Sequence, residues 1–159
     1  MLRDIRRKEK AIKDEKRIKT ILQTTKYITI AMCKENEPYL VTLSHGYDPV
    51  KNCIYFHCAK EGKKIDYLKA NTIIWGEALI DRGYQQGKCD HLYTSAHFKG
   101  KVTFLENFEE KKAALLLMIN QLEKHPKEVI KKQITETAIK KVAIGKIEID
   151  YLSGKEAQQ

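Results

Sequence analysis

The sequence lacks any long apolar segment, and this absence bounds the class of protein. No apolar run approaches the roughly 20 residues that a membrane-spanning helix needs. The N-terminus is charged from Arg3 onward and lacks the apolar core of a signal peptide. We therefore expect a cytoplasmic protein that does not span a membrane.

Paired cysteine motifs are also missing. The four cysteines, Cys33, Cys53, Cys58 and Cys89, form no CxxC pair and match no common zinc spacing. Cys53 and Cys58 are separated by an odd number of positions, so on a regular strand their side chains face opposite sides. We expect buried, reduced thiols and no metal site.

The sequence has no recognisable catalytic or nucleotide motif. It contains no Ser-His-Asp order, no paired carboxylate motif, no P-loop and no glycine-rich dinucleotide fingerprint. The missing P-loop argues against nucleotide hydrolysis, and the catalytic residues stay unassigned. Any redox chemistry would have to be carried by a cofactor.

Acidic residues are outnumbered by basic ones. Lys and Arg total 30 against 21 Asp and Glu, which gives a net charge of +9 over 159 residues. Such a surface favours phosphorylated ligands, nucleic acid or acidic lipid. Few clustered aromatic residues are available for base stacking, so a nucleic-acid-binding barrel is the least supported of the alternatives.

The chain length predicts one domain. Much of the basic excess lies in residues 1–26, and residues 1–13 are too polar to bury themselves. We therefore predict a basic N-terminal arm over residues 1–13 and a single domain over residues 14–159.

The apolar pattern predicts a mainly β fold with flanking helices. Strands are predicted over residues 27–33, 39–45, 53–59, 72–80, 92–105 and 142–151, and helices over residues 14–23, 62–70, 107–122 and 126–138. The polar segment 81–91 is predicted to be a loop. A change in apolar parity between Ile144 and Ile147 predicts a β-bulge at Gly145. Six mostly sequential strands are typical of an antiparallel barrel covered by helices.

The stretch 38–64 contains two predicted strands followed by a basic helix start, Gly62-Lys63-Lys64. A helix N-terminus offers unpaired N–H groups and a positive dipole end, and Gly62 would let a ligand approach the backbone closely. This start is therefore a candidate phosphate site. A solvated basic turn is the alternative interpretation.

Polar residues on the neighbouring strands are candidate ligand contacts. Alternation puts Ile54, Phe56 and Cys58 on the core face of one strand, and Cys53, Tyr55 and His57 on the other face. Tyr55 and His57 could contact a planar ligand, or His57 could be a surface histidine without a ligand. Five further polar residues could likewise either contact a ligand or simply face solvent: Thr42, Ser44, Tyr93, Thr94 and Ser95.

Four stretches, in this order, are similar to the FMN-binding split-barrel superfamily. They are PYLVTLSHGYD (38–48), IYFHCAKEGKKIDYLKAN (54–71), YTSAHFKGKVTFLEN (93–107) and IDYLSGKE (149–156). The second is the most specific, because a strand, a histidine, Gly-x-Lys and Leu-x-x-Asn occur there as one unit. Within the superfamily, the chain resembles the pyridoxamine-phosphate-oxidase-related proteins that are grouped with nitroimidazole-resistance reductases.

The resemblance implies a six-stranded antiparallel split β-barrel that forms a homodimer with FMN at the interface. It implies flavin contacts by the strand residues Val41, Thr42, Leu43 and Ser44, with Tyr55 and His57 near the flavin and its ribityl-phosphate chain. It places Gly62, Lys63 and Lys64 at the phosphate, and Ser95 at the flavin. Haem and deazaflavin stay open as alternatives to FMN.

The C-terminus departs from the family pattern. Enzymes that oxidise pyridoxamine phosphate end in an Arg-Leu-x-Pro type motif, whereas this chain has Ser153-Gly154-Lys155-Glu156. Vitamin B6 oxidation is therefore not expected. The resemblance instead favours an FMN-dependent oxidoreductase that passes electrons from NAD(P)H to a small electron-poor acceptor such as a nitro-aromatic. A non-catalytic flavin-storage protein is the alternative.

Overall fold

The computed structural model describes residues 5–158. The strands are β1 (Ala11–Ile12), β2 (Tyr27–Lys34), β3 (Glu37–Ser44), β4 (Gly46–Asp48), β5 (Cys53–Cys58), β6 (Ile73–Gln85), β7 (Asp90–Phe104) and β8 (Ala143–Ala157). The helices are α1 (Glu15–Thr24), α2 (Lys63–Ala70), α3 (Phe108–Leu122), α4 (Pro126–Gln133) and α5 (Glu136–Lys141).

The strands form one antiparallel sheet in the order β3-β2-β6-β7-β8-β5-β4, with β1 paired to β8. Only His45 separates β3 from β4. The first and last strands in this order, β3 and β4, are therefore consecutive in the chain. Their direct connection curves the sheet into a barrel. With β3 and β4 counted as one strand and β1 as a short addition, the predicted six-stranded antiparallel split barrel is confirmed.

Two apolar clusters stabilise this architecture. Inward-facing residues of the strands fill the barrel, among them the fully buried Phe56 and Phe98, and α1 packs against the same cluster through Ile18 and Leu22. A smaller cluster joins α3 to the outer side of β5 and β8. It includes Cys53, Tyr55, Ala114, Met118 and Ile144.

The prediction of a loop over residues 81–91 is wrong. β6 and β7 continue through most of this segment as a long hairpin, with Gln85 opposite Asp90. The register shifts between Asp81 and Gly83, and Gly83 adopts a φ of +95°, a conformation that glycine reaches without a steric penalty. The polar composition misled the prediction because both faces of this hairpin are largely exposed.

The prediction of a bulge at Gly145 is also wrong. β5 pairs with β8 without interruption from Cys53 opposite Glu148 to Cys58 opposite Ala143. The irregularity lies further along β8, at Asp150, which has no partner between the pairs of Gly100 and Lys99 on β7. The apolar parity changes near Gly145 because β8 is buried on both faces there. Ile144 faces α3 and Ile147 faces the barrel core.

Three smaller predictions need correction. The predicted helix over residues 126–138 is two helices, because the Thr135 hydroxyl accepts a hydrogen bond from the Ala138 N–H and starts α5. Within the predicted arm, β1 joins the sheet and Ile12 is buried, whereas residues 1–4 lie outside the described residues. All four cysteines are free, but Cys33 and Cys89 are exposed.

Within residues 5–158, no helix is both long and apolar enough to cross a membrane.

His45, between β3 and β4, is a buried histidine from which we expect a pH-dependent contribution to the stability of the fold. Its side chain is fully buried, and its Nε2 lies 2.8 Å from the carbonyl oxygen of Leu22, an arrangement in which Nε2–H donates. Burial lowers the pKa of His45 below its usual 6.5, so the unfolded chain takes up the proton first as the pH falls. Stability contributed by neutral His45 is complete above the usual pKa and is lost on acidification towards the folded-state pKa.

We therefore expect the free energy of unfolding to fall by up to about 1.4 kcal/mol per pH unit in that window. Urea unfolding at pH 7.5 and pH 5.5 checks this, with His45→Gln as the variant that cannot titrate. The variant should show a smaller pH dependence than the wild type. Equal pH dependence in the two proteins would assign the effect to other groups.

Candidate functional site

The N-terminus of α2 is exposed, and its backbone is arranged in a way that suits an anion. Gly62 is its N-cap and adopts a φ of +119°, and a Cβ at this position would meet nothing within 4 Å. By helix geometry, the backbone N–H groups of Lys63 and Lys64 have no acceptor inside the helix. The space above Gly62 therefore lets a phosphate approach these N–H groups.

Lys63 and Lys64 bring positive charge to the same place. The Nζ atom of Lys63 lies 4.7 Å from the ring centre of Tyr39 on β3 and 3.9 Å from a carboxylate oxygen of Glu37. The Lys63 side chain is 57% exposed, so its pair with Glu37 is weak and exchangeable. Both lysines line a pocket of about 220 Å³, together with Tyr39, Cys58, Ala59, Glu61, Gly62 and Ile65.

The open edge of β3 lies beside this pocket. Among the described strands, β3 pairs only with β2, and Tyr39 of β3 contributes to the pocket wall. In an antiparallel strand, about half of the backbone N–H and C=O groups point to each side. Part of the β3 backbone is therefore free to hydrogen-bond a planar ligand whose phosphate lies at α2.

The four predicted contact residues on β3 divide between its two faces. Val41 and Leu43 point inward and pack against the barrel core. Thr42 and Ser44 point outward and are exposed, and the Thr42 hydroxyl lies 3.0 Å from that of Thr29. Only two of the four side chains therefore face a ligand on the outer surface of β3.

The structure does not bring Tyr55 and His57 together with Lys63 and Lys64 in one chain. Tyr55 is 6% exposed between β5 and α3, where burial raises the pKa of its hydroxyl. His57 is exposed and lines a different, mostly apolar pocket of about 320 Å³ between β5 and the helices α3, α4 and α5. Their contact with a flavin stays a prediction.

Ser95 lies on β7, on the face opposite the core residues Ala96 and Phe98, and is itself buried. Its hydroxyl is 3.3 Å from Nε2 of His97 and 3.4 Å from the carbonyl oxygen of Lys155 on β8. His97 in turn lies 3.4 Å from a carboxylate oxygen of Glu77 on β6. Ser95 therefore belongs to a polar row across three strands, and its predicted flavin contact is untested.

Sequence reasoning missed an apolar surface on the outer side of the sheet. Leu40, Trp75 and Leu79 are 65%, 41% and 45% exposed, and Trp75 lies 5.5 Å from Tyr151, between ring centres. The register places Leu40, Ala31 and Trp75 side by side on β3, β2 and β6. The available signal was strand β6, whose residues 73–75 are apolar without alternation, as expected for a strand covered on both faces.

Metal-binding geometry is absent from the described part of the chain. Within residues 5–158, no three His, Cys, Asp or Glu side chains are grouped so that they could hold a metal ion.

Comparison with known proteins identifies the family. The model of the pyridoxamine 5'-phosphate oxidase family matches residues 14–156, and no curated protein matches the chain. A solved structure of a proposed 5-nitroimidazole antibiotic resistance protein from Bacteroides thetaiotaomicron is similar, with 27% identity and a TM-score of 0.77, covering 91% of this chain and 85% of its own.

Two further solved structures share the fold. The flavocytochrome Anf3 from Azotobacter vinelandii is 16% identical with a TM-score of 0.83, covering 98% of this chain and 73% of its own. The FAD- and haem-binding protein from Mycobacterium smegmatis is 14% identical with a TM-score of 0.78, covering 94% and 74%. Because the family model spans nearly the whole described chain, the chain belongs to the pyridoxamine 5'-phosphate oxidase family.

Proposed function

We propose that this protein binds FMN and is an oxidoreductase that passes electrons from NAD(P)H to a small electron-poor acceptor. One observation carries the proposal: the Gly62-Lys63-Lys64 start of α2 lies beside the open edge of β3 in a fold of this family. FMN carries a phosphate, which the helix start would bind, and a planar ring, which the strand edge would bind, so the two features must lie next to each other.

The residues at this place fit the cofactor. Lys63, Lys64 and the first N–H groups of α2 would hold the phosphate, because charged donors at a helix N-terminus bind oxyanions strongly. The free backbone groups at the edge of β3 would hydrogen-bond the flavin ring. Thr42 and Ser44 point to the face of β3 opposite Tyr39, which lines the phosphate pocket, so they would contact the flavin only where its ring passes the edge of the strand. Bound FMN would supply the capacity to accept and release two electrons.

The similar structures support a flavin and suggest the acceptor. The Anf3 flavocytochrome and the FAD- and haem-binding protein support flavin binding through their shared fold. The protein from Bacteroides thetaiotaomicron supports a nitro-aromatic acceptor through its description as a 5-nitroimidazole resistance protein.

Oxidation of pyridoxamine phosphate is not proposed, although the family carries that name. The C-terminal residues Ser153-Gly154-Lys155-Glu156 replace the substrate-holding motif, and the structure uses them within β8. Gly154 packs under Ile12 and Ile18, and Glu156 pairs with Arg17. These positions therefore stabilise the fold rather than hold a substrate.

Anaerobic reduction distinguishes the enzyme from a flavin-storage protein. We expect NADH or NADPH to bleach the absorbance of the FMN-loaded protein, and a nitroimidazole to restore it with repeated turnover. FMN that stays bound but is not reduced by either nicotinamide would favour the storage alternative. Free FMN at the same concentration is the control for reduction in solution.

A homodimer is part of the proposal, and the outer face of the sheet is its interface. Leu40, Trp75 and Leu79 form an apolar surface with Tyr27 and Ile73, each at least 40% exposed. Exposed apolar patches of this kind mark interaction surfaces. His57 is exposed and does not line the pocket of Lys63 and Lys64, so its predicted contact would be with a flavin that a second copy holds, whereas Tyr55 is buried against α3.

Trp75→Glu should convert the dimer into a monomer. A buried carboxylate without a partner in the interface would cost several kcal/mol, enough to dissociate a dimer at micromolar concentration. Sedimentation velocity measures the change. Val50→Glu is the matched control, because Val50 is 92% exposed in the turn after β4 and outside the patch. A wild-type monomer, or a Trp75→Glu dimer, would contradict the proposed interface.

A further inference from the structure

Lys111 occupies an unusual position for a lysine. It lies in the first turns of α3 and is only 8% exposed. The buried residues of α3 are Lys111, Ala114 and Met118, which follow the i, i+3, i+7 spacing of a core-facing stripe. An apolar residue is expected at the first of these positions, since lysines are almost never buried without a partner.

Lys111 lines a pocket of about 300 Å³ that contains two more lysines. Lys60 precedes α2 and Lys69 lies in its last turn, and both line the same pocket. Glu106 contributes the single carboxylate of the lining, against three ammonium groups. Like charges around one cavity repel each other, so the empty arrangement costs free energy that a bound anion would recover.

Within the described part of the chain, none of the three lysines takes part in an ion pair or a side-chain hydrogen bond, and Lys60 and Lys69 are exposed to solvent. The ion pairs and side-chain hydrogen bonds found there use other cations, such as Lys63, Lys99 and Lys146. Among the described residues, the only buried side-chain nitrogen or oxygen atom without a partner is Nδ1 of His45, so the ammonium group of Lys111 keeps contact with solvent. The low exposure of Lys111 therefore reflects its aliphatic stem, which packs along the apolar wall and places the ammonium group at the cavity.

The remaining walls define what else the ligand needs. Ile65, Phe104, Leu105, Val142 and Ala143 supply an apolar lining. The volume is about twice the roughly 150 Å³ of a cavity that binds benzene. A molecule the size of one aromatic ring with an attached oxyanion would therefore fill the space.

We propose that this pocket binds a small organic oxyanion, a phosphomonoester or carboxylate on a body of about one ring, through Lys60, Lys69 and Lys111. The site is separate from the proposed flavin phosphate site. That site uses Gly62, Lys63 and Lys64, and the two pockets share only Ile65 among their lining residues. The proposal does not depend on whether the protein binds a flavin.

Calorimetric titration of the full-length protein at low ionic strength tests the site, with phenyl phosphate, benzoate and inorganic phosphate as probes. Phenyl phosphate or benzoate should bind with a dissociation constant below about 1 mM, and at least about fivefold more tightly than inorganic phosphate, because the apolar walls add affinity. The better of the two organic probes identifies the oxyanion. Equal affinity for inorganic phosphate would overturn the assignment of an organic ligand.

Variants assign the binding to this pocket. Lys111→Met keeps the length of the side chain, removes its charge and should weaken binding at least about tenfold. Lys69→Gln, at an exposed position, should weaken binding as well. This variant tests the site even if Lys111→Met does not fold. Lys112→Met, next along α3 and outside the pocket, should leave binding unchanged.

The double variant Lys63→Ala/Lys64→Ala separates the two anion sites. It should bind the organic probe as the wild type does, whatever happens to its affinity for FMN. Loss of probe binding in this double variant would show that the probe binds at the N-terminus of α2, which would overturn the proposal. Unchanged binding in both Lys111→Met and Lys69→Gln, or no binding by the wild type, would also overturn the proposal.

Discussion

Replacing Lys63 and Lys64 together with alanine is expected to weaken FMN binding at least about 100-fold. Each lysine would make a charge-assisted contact with the phosphate, worth about 1.5 kcal/mol or more, and two such losses amount to about 3 kcal/mol. The backbone N–H groups of α2 would remain, so some phosphate affinity should survive. Fluorescence titration with FMN measures the change.

A matched variant controls for the loss of net charge. Lys124 and Lys127 are exposed lysines that do not belong to α2. Lys124 lies in the connection between α3 and α4, and Lys127 lies in the first turn of α4. Lys124→Ala/Lys127→Ala should change FMN affinity less than about threefold at physiological salt, because surface charges at a distance are screened. Equal losses in both double variants would mean that net charge, and not the α2 site, governs the affinity.

Gly145→Ala is expected to destabilise the fold by about 3 kcal/mol, the largest effect on stability that we predict. A Cβ at Gly145 would lie 2.2 Å from Cζ and 2.5 Å from Cε1 of Phe56. Phe56 is fully buried in the barrel core, so its ring cannot move into solvent to make room. The neighbouring strands would have to separate instead.

Urea unfolding of a double-mutant cycle measures this effect. In the Phe56→Leu background the smaller side chain leaves room, so Gly145→Ala should cost at least about 1 kcal/mol less than in the wild type. The same cost in both backgrounds would show that the strain arises elsewhere in β8.

Features set by neighbouring residues were predictable from the sequence. The Asp14 side chain accepts the Lys16 N–H and starts α1, and the Asn107 side chain accepts the Glu110 N–H and starts α3, as their cap patterns indicate. The helix start at Gly62-Lys63-Lys64 was also predictable, because a helix start depends on residues that are close in the sequence.

Features that depend on distant strands were not predictable. The hairpin over residues 81–91 is polar and gains its structure from pairing, and Gly145 is small because a ring from β5 lies above it. The apolar outer face exists only because the register aligns Leu40, Ala31 and Trp75. Burial of Lys111 likewise follows from how α3 packs, since many helices carry a lysine in their first turns.

The absorbance spectrum of the purified protein tests the central claim most directly. We predict the visible absorbance bands of an oxidised flavin, either as purified or after addition of FMN and removal of the excess, with FMN as the chromophore released on denaturation. A protein without these bands that also fails to retain added FMN would contradict the proposed flavin site.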